Sequence, residues 1–80
     1  MTDASLAQPA SAEEAKRAIV AQLQRHLVGT DDYYMIRRLS RPYTAESGIA
    51  GVTRTAEQVA WLEAARKDLA KELDRWLATL

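Results

Sequence analysis

From Val59 onward, one face of the chain repeats Val59, Leu62, Arg66, Leu69, Leu73, Trp76 and Leu80, in alternating steps of three and four residues. That spacing lays a continuous, mostly apolar seam along a single helix, of the kind that meets another helix. Thr55 and Gln58 form a capping box just upstream, so the helix is expected from about Ala56 to the chain end. At about 25 residues it would be about 37 Å long. Trp61 and Ala65 lie off the seam, so the helix should touch two neighbours, one of them in another chain.

A second helical pattern precedes it. Ala12, Ala15, Ile19, Leu23 and Leu27, widened by Val20, share one face of a helix expected over about Ala12–Val28. Ser11 and Glu14 give its capping box, Gly29 its stop, and Arg25 with His26 suit its negative end. This helix is about two-thirds as long as the last one and cannot cover the whole seam. Residues 32–40 (DYYMIRRLS) read as a short helix or an extended strand. Helix is favoured because Met35, Ile36 and Leu39 share a helical face and strict alternation fails. Residues 41–54, with Pro42, Gly48 and Gly51, read as loop. Residues 1–10 read as a flexible tail before a single helical domain over 11–80. The expected fold class is all-α: a helical hairpin with a short third helix or irregular crossover between its arms.

Composition changes the picture mainly by exclusion. An 80-residue chain is one domain at most, and a lone unit of that size is marginally stable without reinforcement. There is no cysteine and only one histidine, so disulfides, thiolate metal sites and multi-histidine sites are excluded, leaving a protein partner or self-association. Eleven basic residues balance eleven acidic ones, which argues against binding dominated by phosphate charge. The first ten residues lack a signal-peptide pattern, and no run approaches a membrane span. A cytoplasmic location is expected, or a virion if the chain is of phage origin. Along the exposed side of the last helix, Glu63 to Lys67, Asp68 to Lys71 and Glu72 to Arg75 read as opposite-charge pairs.

Candidate chemistry is sparse. His26 with Ser5, Ser11, Ser40 and Ser47 offers no defensible catalytic order, and the adjacent Asp31 and Asp32 make a better cap than an acid–base pair. Gly48 to Gly51 is too short for a phosphate loop. No enzyme activity, cofactor or small-molecule substrate is expected. The interface candidates are Val59, Trp61, Leu62, Arg66, Leu69, Leu73, Trp76 and Leu80. Arg66 either packs its stem and sends the guanidinium to solvent or meets an acidic group across an interface. Arg37, Arg38 and Arg41, interleaved with Tyr34 and Tyr43 and followed by Arg54, are either nucleic-acid contacts or arginines stacked on tyrosines.

Residues 48–62 (GIAGVTRTAEQVAWL) resemble the turn and recognition helix of helix-turn-helix regulators. That resemblance implies DNA contacts from Thr53, Arg54, Thr55 and Gln58. The wider layout of helix, glycine stop, irregular middle with Val52-Thr53-Arg54, and Thr-capped helix resembles small bacteriophage head–tail joining proteins of the lambda W type. It implies a hairpin between two helices and a role within an assembly. The primary expectation is therefore a non-catalytic interaction or assembly protein. Its rivals are a small DNA-binding regulator and a small inhibitor of a host enzyme.

Overall fold

The computed structural model describes the backbone of residues 4–26 and 32–78, and the side chains of residues 6–25 and 36–75. Among these, the chain forms α1 (Ala4–Ala7), α2 (Ala12–His26), α3 (Asp32–Ser40) and α4 (Ala56–Ala78), with no strand. The fold is all-α, its two long helices packed together and the short third helix lying between them in sequence. Leu27 and Gly29 fall outside the described residues.

The capping patterns act as their chemistry requires. Glu14 N donates to Ser11 Oγ at 3.1 Å, and Ala15 N to Ser11 O at 3.0 Å, starting α2. At α4 the box is reciprocal: Gln58 N donates to Thr55 Oγ1 at 3.1 Å, and Thr55 N to Gln58 Oε1 at 2.8 Å. Each bond to a side-chain oxygen satisfies a main-chain N–H that has no partner within its own helix. Residues 32–40 are helical, and Ser40 Oγ bonds back to Ile36 O before Pro42 follows.

The core joins Ala15, Ile19 and Leu23 of α2 with Leu39 of α3, Tyr43, and Leu62 and Ala65 of α4. Ile19 and Leu62 have no solvent exposure. Ala12 is exposed, because it is the first helical residue and lies beyond the packed face, whereas Ala18 is buried. The second neighbour of α4, expected from another chain, comes from this one. Both α2 and α3 pack on α4, and Ala65 is buried in the shared core.

Residues 41–55 carry the chain back so that α4 begins beside the start of α2. Glu46 and Thr53 form an isolated antiparallel bridge, and Arg54 N donates to Ala45 O at 2.7 Å. The turn between them closes with Val52 N donating to Ile49 O at 3.1 Å. Gly51 occupies its third position with φ 79°. A β-turn of type II needs that left-handed backbone there, and glycine adopts it without steric cost.

The expected tail is a packed element from Ala4 onward. Ala7 and Pro9 are buried, and Leu6 packs against the core. Three of the four residues from Leu6 to Pro9 are apolar, so this short segment covers the body instead of trailing from it.

Candidate functional site

Two arginines that read as surface candidates are built into the interior. Arg54 is 7% exposed. Its Nε donates to Leu6 O at 3.2 Å and Ala7 O at 3.0 Å, and Nη2 donates to Leu6 O at 2.9 Å. Nη1 donates to Thr44 O at 3.1 Å and Glu46 O at 2.8 Å. One planar cation thus caps the end of α1 and ties it to the crossover. Burial lowers the pKa of this guanidinium; nearby Tyr43 opposes the shift and Arg38 adds to it. Gln58 is equally engaged, since beyond the capping box its Nε2 donates to Pro9 O at 3.3 Å. Gln8 Nε2 adds a bond to Thr53 O at 3.0 Å.

These contacts overturn the DNA-facing assignment of Arg54 and Gln58. Reaching a groove would break several bonds that hold α1 in place. The segment before the turn is also non-helical, so the helix-turn-helix geometry is missing. Arg38 follows the alternative reading of arginine stacked on tyrosine. Its guanidinium carbon lies 3.9 Å from the Tyr43 ring centroid, and its Nε donates to Tyr43 Oη at 3.0 Å. The Arg54 guanidinium carbon lies 5.4 Å from the same centroid, within cation–π range. Arg37 and Arg41 are exposed; the side chain of Tyr34 lies outside the described residues.

Arg66 neither reaches freely into solvent nor waits for another chain. Its Nε donates to Glu63 Oε2 at 2.7 Å and its Nη2 to Glu63 Oε1 at 3.0 Å, one turn back on the same helix. Its Nη1 donates to Leu39 O at 2.7 Å, capping the end of α3. Glu63 Oε2 also accepts from Tyr43 N at 2.7 Å, so the pair clamps both ends of the α3 exit. The bond from Arg66 holds the Glu63 carboxyl below its usual pKa, with burial opposing and the Tyr43 N–H assisting. The same bond raises the Arg66 pKa against the effect of burial. Glu63 therefore pairs with Arg66 and not with Lys67, whose charge reaches it only at longer range.

The expected interface set divides accordingly. Leu62 is fully buried in this chain's own core and Arg66 is internally bonded, so neither is available to a partner. Val59, Trp61, Leu69 and Leu73 are half-buried, and the last three pack with Ala70 against the core edge. The Trp76 side chain and Leu80 lie outside the described residues.

Sequence reasoning missed the Arg54 cap and the Glu63–Tyr43 bond. Both join residues at least 20 positions apart, which no local spacing reveals. The one available signal was the apolar content of residues 6–9. No protein-family model matches this chain, and no curated protein and no solved structure matches it either. No described helix is long and apolar enough to cross a membrane.

Proposed function

We propose that this chain is a non-catalytic docking component, acting as an oligomer or as an adaptor on a larger protein assembly. The observation that carries the reading is the half-covered apolar stripe of α4, formed by Leu69, Ala70 and Leu73. Length supports it: α4 has 23 residues and α2 has 15 over its described span, or about 35 Å against about 22 Å. A partner helix laid on the stripe would remove from water what α2 and α3 leave exposed, at about 25 cal/mol per Å² of apolar surface. A head–tail joining role is the assembly setting suggested by the layout resemblance.

Analytical ultracentrifugation across micromolar to millimolar protein tests the self-associating form. Concentration-dependent association that Leu73→Glu abolishes, with helicity retained, is the expected result. A monomer at every concentration removes the oligomer. If Leu73→Glu also leaves recruitment into the native assembly intact, the adaptor form falls as well.

A further inference from the structure

We draw no further inference here: the strongest candidate, the surface patch along the side of α4 that carries half-buried Trp61 and exposed Asp68 and Glu72, supports no proposal, since nothing in the structure shows what covers it.

Discussion

Arg66 holds Glu63 through two parallel hydrogen bonds of 2.7 and 3.0 Å while its remaining arm reaches Leu39 O at 2.7 Å. An i,i+3 pair on an open helix surface contributes only a few tenths of a kcal/mol. This one does more because both partners also satisfy main-chain groups of another segment. A charge in the middle of an apolar seam therefore serves the junction of α3, the crossover and α4.

Glu63→Gln should destabilise the fold by about 1–3 kcal/mol, since it removes a charge-assisted pair and weakens the acceptor for Tyr43 N. The folded carboxyl has a lower pKa than the unfolded one. Its stabilisation is therefore present above the unfolded value of about 4.3 and declines as pH falls through the folded value. Urea melts of wild type and Glu63→Gln should differ at neutral pH and converge in acid. A constant gap across that range refutes the linkage.

Arg54→Ala should release α1 and cost about 2–4 kcal/mol, because it leaves the carbonyls of Leu6, Ala7, Thr44 and Glu46 without their donor. Arg54→Lys should recover only part of this, as one ammonium cannot span the same fork. Limited proteolysis near Ala7, with chemical denaturation, reads both effects. An unchanged cleavage rate in Arg54→Ala would show that α1 is held by other means.

Gly51→Ala should cost about 1 kcal/mol through backbone strain alone, since φ is 79° and nothing lies within 4 Å of an added Cβ. Gly51→Asn should cost less, because asparagine tolerates the left-handed region. Thermal melts of the two variants decide it; equal stability of alanine and glycine would show that the turn relaxes to another form.

Leu62→Ala should lower stability by about 2–5 kcal/mol at every protein concentration, as expected for a fully buried leucine. The same unfolding measurements on Leu73→Ala, a half-buried position, should show a smaller loss. If Leu62→Ala is silent in dilute protein and costly only in concentrated protein, the residue belongs to an interface after all.

The two long helices and their starts were legible in the sequence because they depend on neighbours three or four residues apart, whereas α1, read as tail, was not. Ser11 with Glu14, Thr55 with Gln58, and the stripe of Ala15, Ile19 and Leu23 all act locally, and the structure keeps each of them. The roles of Arg54, Gln58, Glu63 and Arg66 were decided only by the tertiary fold. Their partners are main-chain groups such as Leu6 O, Pro9 O, Tyr43 N and Leu39 O. Every residue but proline carries the same main-chain donor and acceptor, so no side-chain pattern marks which carbonyl a distant cation will cap. A charged residue on a helix face advertises its charge in sequence, but the chain's path in space determines whether that charge meets solvent, a partner or its own backbone.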